Sequence, residues 1–151
     1  MTALRIRSIL VPIDFSPHSA KAVELALDLA ASFGARVHFL HSCAFPRRFV
    51  TVYDLVFPEQ LEREIYEAAR GKLDAMLARG RERGLEVAGE LTMEEASDAI
   101  LRRARELPAD AIVMGTRGLG GVRSALLGSV AEKVVRRAPC PVTTVHAAFA
   151  A

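Results

Sequence analysis

The chain has no tryptophan, only two cysteines, a net charge of +2 and no apolar run approaching a membrane span. Each scarcity closes off a class. Without about 20 consecutive apolar residues there is no transmembrane helix to place, and no membrane association is expected. Cys43 and Cys140 lie far apart with no CxxC or Cys/His spacing, so neither a disulfide pattern nor a metal pattern can be read. Both are expected reduced and at least half buried, as free cysteines tend to be. The N-terminus lacks the basic segment, longer apolar stretch and small-residue cleavage site of a signal peptide, which makes cytoplasm the expected location. The near-neutral charge argues against nucleic acid as a partner. Arg47-Arg48, Arg102-Arg103 and Arg136-Arg137 are short pairs on separate elements, not a continuous stripe.

What is present is ordinary for a globular protein. With 151 residues, 51% hydrophobic and 25% charged, one domain (1–151) with a self-sufficient core is expected. Arg5 to Ile13 reads as a nearly continuous apolar strand ending at Asp14, a pattern suited to a parallel strand covered on both faces. Ser16-Pro17 offers an N-cap and a first-turn proline. Ala20, Val23, Leu27 and Ala30 then follow at helical spacing up to Gly34. Ala35 to Ser42 is the second strand, and Cys43 to Phe57 is the longest irregular connection, of a length that tends to be functional or mobile. Pro58 opens a helix to about Arg83, weakened by Gly71 and Gly80; Leu85 to Leu91 is the third strand. Glu95 to Leu107 is the third helix, Ala111 to Met114 the fourth strand, Val130 to Arg137 the fourth helix and Val142 to His146 the last strand. Strands alternating with helices in this way predict a parallel α/β sheet.

In such sheets, ligands bind outside the carboxyl ends of the strands, where strand order reverses. Asp14, Ser42 and Gly115 stand at such ends. From Gly115 the spacing Gly-x2-Gly-x9-Gly-Ser runs through Gly118 to Gly128-Ser129 at a helix start. Backbone N–H groups at a helix N-terminus, clear of side chains, hold anions, so a phosphate-bearing ligand is the leading idea. The plain alternative is a flexible loop made by Gly118, Gly120 and Gly121. No Gly-Lys-Ser/Thr follows, and Lys133 lies a full turn into the helix, so the segment is no P-loop. Arg123 stands where a dinucleotide fingerprint would place its last glycine. Ser129 can both cap the helix and contact a phosphate; Arg117 either meets phosphate oxygens or faces water.

Asp14 can accept hydrogen bonds from ribose or an adenine amine or help hold a metal, or it can simply form an Asx turn feeding the Ser16 cap. His38 and His41 fall on opposite faces of a strand and do not make a metal pair; His18 and His146 show no partner in the sequence. Glu94-Glu95 suit the start of a helix dipole without invoking catalysis. No Ser/His/Asp or Cys/His arrangement can be argued.

Val11-Pro12-Ile13-Asp14-Phe15-Ser16, Leu40-His41-Ser42, the Met114 to Val130 glycine segment and Ala138-Pro139-Cys140-Pro141-Val142 together resemble the universal stress protein family. The glycine spacing is similar to the signature of that family's ATP-binding branch. The resemblance implies a Rossmann-like, five-stranded parallel open sheet of order 3-2-1-4-5 with helices on both faces. It also implies ATP as ligand, with ADP or AMP open, and Mg or Mn accompanying the phosphates. By position, Pro12, Ile13 and Asp14 would line adenine and ribose, Ser42 would meet the adenine edge through its backbone, and Met114 and Gly115 would flank the sugar. Gly118, Gly128, Ser129 and Val130 would present N–H groups and a hydroxyl to the phosphates. The family's usual homodimer would pair Val142 to Val145 across a two-fold axis. One departure stands out: Glu94-Glu95-Ala96 replaces a frequent Gly-x-Pro, which predicts a differently shaped loop.

Three functions follow. The first is a nucleotide-binding regulatory or stress-response protein, whose occupancy is read by an unidentified protein partner. The second is a slow ATPase or phosphotransferase, disfavoured because no base or suitably placed lysine stands out. The third is a dimeric interaction module that takes no nucleotide.

Overall fold

The computed structural model describes residues 5–44, 59–117 and 127–147. The elements are β1 (Ser8–Pro12), α1 (Pro17–Phe33), β2 (Arg36–Ser42), α2 (Glu59–Glu82), β3 (Val87–Thr92), α3 (Ala96–Glu106), β4 (Ala111–Gly115), α4 (Ser129–Arg137) and β5 (Val142–Val145). The strands form one sheet in the order β3-β2-β1-β4-β5. All four pairings are parallel. This is the α/β architecture and strand order expected from the sequence. Most of the connection from Cys43 to Phe57, and Gly118, Gly120 and Gly121, lie outside the described residues.

Alternation along the central strands builds two cores. Ile9, Val11, Val37, Phe39 and Val113 pack with Val23, Leu27, Leu73 and Leu77 from α1 and α2. Leu10, Leu40, Ile112 and Met114 face the other way, against Ile100, Ala104, Ala131 and Val134 from α3 and α4. Every residue of β1 is buried, because both of its faces are covered. Truncating the fully buried Phe39 to alanine would cost ~3–5 kcal/mol.

Several predicted boundaries move for local reasons. β1 begins at Ser8 and not Arg5, since the Arg7 and Ser8 N–H groups donate to the Asp110 carboxylate (2.8 and 3.0 Å). Ser16 caps α1 by accepting the Ser19 N–H, with Pro17 as the first helical residue, and Gly34 ends it at φ 66°. β3 starts two residues late. The Leu85 N–H still bonds back to Gly80 of α2, beyond a left-handed Gly84. Glu95 is the cap of α3 and not its first residue, and α4 starts at Ser129.

β2 and β3 extend to one side of β1, and β4 and β5 to the other. The switch point therefore lies between the carboxyl ends of β1 and β4. No described helix is long and apolar enough to cross a membrane.

Candidate functional site

β1 carries Pro12, Ile13 and Asp14 to the switch point, and the Ile13 N–H donates to Leu40 O at 2.9 Å. Asp14 Oδ1 accepts the Ser16 N–H (2.9 Å), so the Asx turn feeding the α1 cap is real. The Asp14 N–H donates to Ser19 Oγ at 3.2 Å. Asp14 Oδ2 has no protein partner among the described residues.

The next residue, Phe15, adopts φ 62°. A bulky side chain there strains the backbone by about 1–3 kcal/mol and persists only where its surroundings hold it. They do so here. The His41 ring stands 4.6 Å from the Phe15 ring, and Lys72 Nζ lies 5.0 Å above the same ring. His41 Nδ1 lies 2.7 Å from Ile13 O, an acceptor, which places the proton on Nδ1.

At the end of β2, the Ser42 hydroxyl donates to Glu94 O (2.6 Å) and accepts the Ala44 N–H (3.2 Å), tying this strand end to the β3–α3 loop. That loop carries Glu94 and Glu95, the two acids that stand in place of Gly-x-Pro. Both are engaged elsewhere. Glu94 pairs with Arg102 at 3.0 Å. Glu95 caps α3 through the Asp98 N–H at 3.1 Å and sits 3.6 Å from Lys133 of α4. Burial works against the Glu95 charge. Hydrogen bonds from Ser97 and the backbone, with Lys133 nearby, outweigh it and hold the carboxyl below its ordinary value. Lys133 also binds Asp98 at 3.1 Å and is thereby committed to α3.

β4 ends in buried Met114 and then Gly115. A Cβ on Gly115 would stand 2.8 Å from His18 Cβ, 2.9 Å from His18 C and 3.0 Å from Ser19 N. The glycine is thus where the first turn of α1 closes on β4. Beyond it, Thr116 Oγ1 lies 3.2 Å from His18 Nδ1 and 3.3 Å from His146 Nδ1, and the Ala147 N–H donates to His18 Nδ1 at 2.9 Å. His18 and His146, which showed no partner in the sequence, therefore meet across 98 and 30 residues around one hydroxyl. Burial, then repulsion from His146 and Arg117, press the His18 pKa below the usual imidazole value against the pull of Asp14.

α4 begins differently from α1 and α3. Its N-cap is Gly128, and among the described residues no side chain caps it. Ser129 is the first helical residue, not the cap that its position suggested, and it is exposed. The Gly128 N–H is fixed by Thr116 O at 2.6 Å, while the N-terminal turn of the helix lacks the acceptor that Ser16 or Glu95 gives the other two. Such a turn attracts anions.

These pieces enclose a cleft of about 310 Å³. Pro12, Ile13, Asp14, Ser42, Met114, Gly115, Arg117, Gly128, Ser129 and Val130, all singled out from the sequence, border it. Gly118 is the remaining candidate and lies outside the described residues. Ser19, Leu40, Ala96, Ile100, Thr116 and Ala131 border it too, and sequence reasoning missed them. Ile100 and Leu40 read as ordinary core positions, and only the switch-point rule could have aimed them at a ligand. The result is an apolar slot with polar groups at its rim and a bare helix N-terminus at one end. That combination suits a flat apolar ring joined to an anionic group. Among the described residues, no group of three His, Cys, Asp or Glu could hold a metal ion.

The universal stress protein family model matches residues 5–146. A universal stress protein of Thermus aquaticus is 38% identical over 146 residues, covering 93% of this chain and 98% of its own. Among solved structures, the hypothetical protein MJ0577 superposes with a TM-score of 0.85 at 25% identity, covering 97% of this chain and 99% of its own. A universal stress protein solved in complex with cAMP superposes at a TM-score of 0.71 and 27% identity, covering 95% of this chain and 99% of that one.

Proposed function

Because the chain belongs to the universal stress protein family, we propose that it is a regulatory protein that binds an adenine nucleotide, ATP in the first place, in the cleft at the switch point. The observation that carries this reading is the uncapped N-terminus of α4, opening on a slot walled by Pro12, Ile13, Leu40, Ile100 and Met114. Adenine has the shape and polarity for the slot. Asp14, which borders the cleft with one oxygen uncommitted, offers an acceptor to a ribose hydroxyl. The phosphates would lie at Gly128, Ser129 and Val130, with Arg117 and Gly118 beside them. The relative solved with cAMP supports an adenine nucleotide as the ligand class.

A divalent metal, Mg or Mn, would be held chiefly by the phosphate oxygens and would neutralise their charge. The protein's own residues bind and orient. Lys133, the one lysine in α4, is held by Glu95 and Asp98. Binding without efficient hydrolysis follows, and occupancy becomes the signal. Among the described residues β5 is an edge strand, bonded to β4 on one side. Such an edge invites pairing with a second copy, so the protein would act as a homodimer through Val142 to Val145.

Calorimetry with ATP, ADP and AMP in the presence of Mg tests the ligand. The expected result is saturable heat for at least one, with ATP remaining largely intact after prolonged incubation. No heat for any nucleotide at saturating concentration would refute the reading. Sedimentation velocity is expected to give a dimer for the parent chain and a shift toward monomer in Thr143→Lys, which charges the exposed edge. A monomer at every concentration would remove the dimer.

A further inference from the structure

Thr116 is buried, 7% exposed, and each of its polar groups goes to a different element. The N–H donates to Val145 O of β5 at 2.9 Å, and the carbonyl accepts the N–H of Gly128, the α4 cap, at 2.6 Å. The hydroxyl lies between His18 Nδ1 from α1 and His146 Nδ1 from the end of β5, at 3.2 and 3.3 Å. The two imidazole rings are 5.0 Å apart. One residue thus ties the α4 N-terminus to the edge strand through its backbone, and a pair of histidines to both through its hydroxyl.

We propose that Thr116 is a positioning residue which, through His18 and His146, sets the phosphate end of the cleft and makes it sensitive to protons. His18 Nδ1 is an acceptor here, because the Ala147 N–H donates to it. A proton on that nitrogen turns it into a donor, so it faces the Ala147 N–H as like against like, and Thr116 Oγ1 loses it as an acceptor. The charged groups facing His18 are His146 from the β5 end, Arg117 beyond β4 and Asp14 from the β1–α1 turn. The first two, together with the positive end of the α4 dipole, oppose a further positive charge; Asp14 favours it. Protonation therefore pushes the cluster apart, and Thr116 carries the movement to Gly128 through the 2.6 Å bond.

The proposal rests on the nucleotide reading, and two measurements separate its fate from that reading. The first is binding of adenosine and AMP to the parent chain, Thr116→Val and Thr116→Ser. The expected result is a roughly tenfold loss for AMP in Thr116→Val with adenosine unchanged, and recovery in Thr116→Ser, the loss corresponding to about one hydrogen bond. The ratio of the two affinities is unaffected by any fraction of the variant that fails to fold. On acidification below pH 6 the parent chain should lose AMP affinity relative to His18→Asn at the same pH, so that ligand protonation cancels. A cation that merely attracted phosphate would tighten binding instead, and that outcome would overturn the proposal. The second measurement needs no ligand. The amide resonance of Gly128 should follow the His18 titration in the parent chain and lose that step in His18→Asn. A Gly128 amide that ignores the titration, or an equal AMP-to-adenosine ratio in Thr116→Val, overturns the role of Thr116 while nucleotide binding stands. A Gly128 amide that follows the titration in a chain that binds neither adenosine nor AMP overturns the nucleotide reading and the phosphate part of this one.

Discussion

At the scale of single residues, the tightest constraint is Gly115. Its Cα faces backbone atoms of His18 and Ser19, which cannot rotate away as the end of a side chain could. Gly115→Ala must push α1 off β4 and should cost ~1–3 kcal/mol, the usual range for overpacking. Urea denaturation checks this, and a variant as stable as the parent would show that the approach is looser. The sequence marks this glycine as a strand end and the start of the glycine spacing, and carries no sign of its close approach to α1. Its role comes from a helix more than ninety residues earlier in the chain. Phe15 shows the converse. The Asp-Phe-Ser stretch reads as a plain strand-to-helix turn, yet φ 62° makes it strained. His41 and Lys72, distant in sequence, hold it there.

At the scale of elements, the helix starts were partly legible. Ser16-Pro17 announces α1 directly, because a hydroxyl cap and an N1 proline act locally. The starts of α3 and α4 are each one residue off expectation. Glu95 serves as a cap, an uncommon choice made possible by Ser97 and Lys133, and Gly128 takes the place assigned to Ser129. The bare α4 cap gives a sharp prediction. Gly128→Asp supplies the missing side-chain acceptor and should raise stability by a few tenths of a kcal/mol to ~1 kcal/mol. The same carboxylate would sit where phosphates are expected and should weaken nucleotide binding at least tenfold by repulsion. Thermal melting and calorimetry on one preparation read both effects. Greater stability with undiminished binding would place the phosphates elsewhere.

At the scale of the whole molecule, acid should act in two stages. Burial is the leading reason why His18 and His38 are held below the usual imidazole value of 6.5. For His38, Arg103 adds to it. Glu90 pulls the other way from 3.3 Å, but Arg103 binds that carboxylate at 2.7 Å. The native state thus prefers both rings neutral, and the unfolded chain takes up protons first. Their contribution is complete above pH ~6.5 and is lost as pH falls through the depressed native values. Glu95 and Glu106 are held below the usual 4.5, Glu106 by Arg102 and Arg103. Their contribution is present above that value and lost beneath it. Urea midpoints between pH 8 and 4 should therefore decline first below 6.5 and again below 4.5. A flat profile down to pH 5 would contradict the histidine part.

By itself, the sequence determined what depends on neighbours along the chain: alternating strands and helices, buried β1, the α1 cap, and the glycine spacing at the end of β4. Those signals are local because hydrophobic periodicity, capping and turn chemistry act over a few residues. The tertiary structure alone decided which distant groups meet. It brought His18, Thr116 and His146 together, occupied Glu94, Glu95 and Lys133 with partners of their own, and set the α4 N-terminus facing the ends of β1 and β4. Packing a parallel sheet with helices on both faces fixes these encounters. A sidedness chosen by the crossover of each connection leaves no periodic trace in the residues that end up in contact.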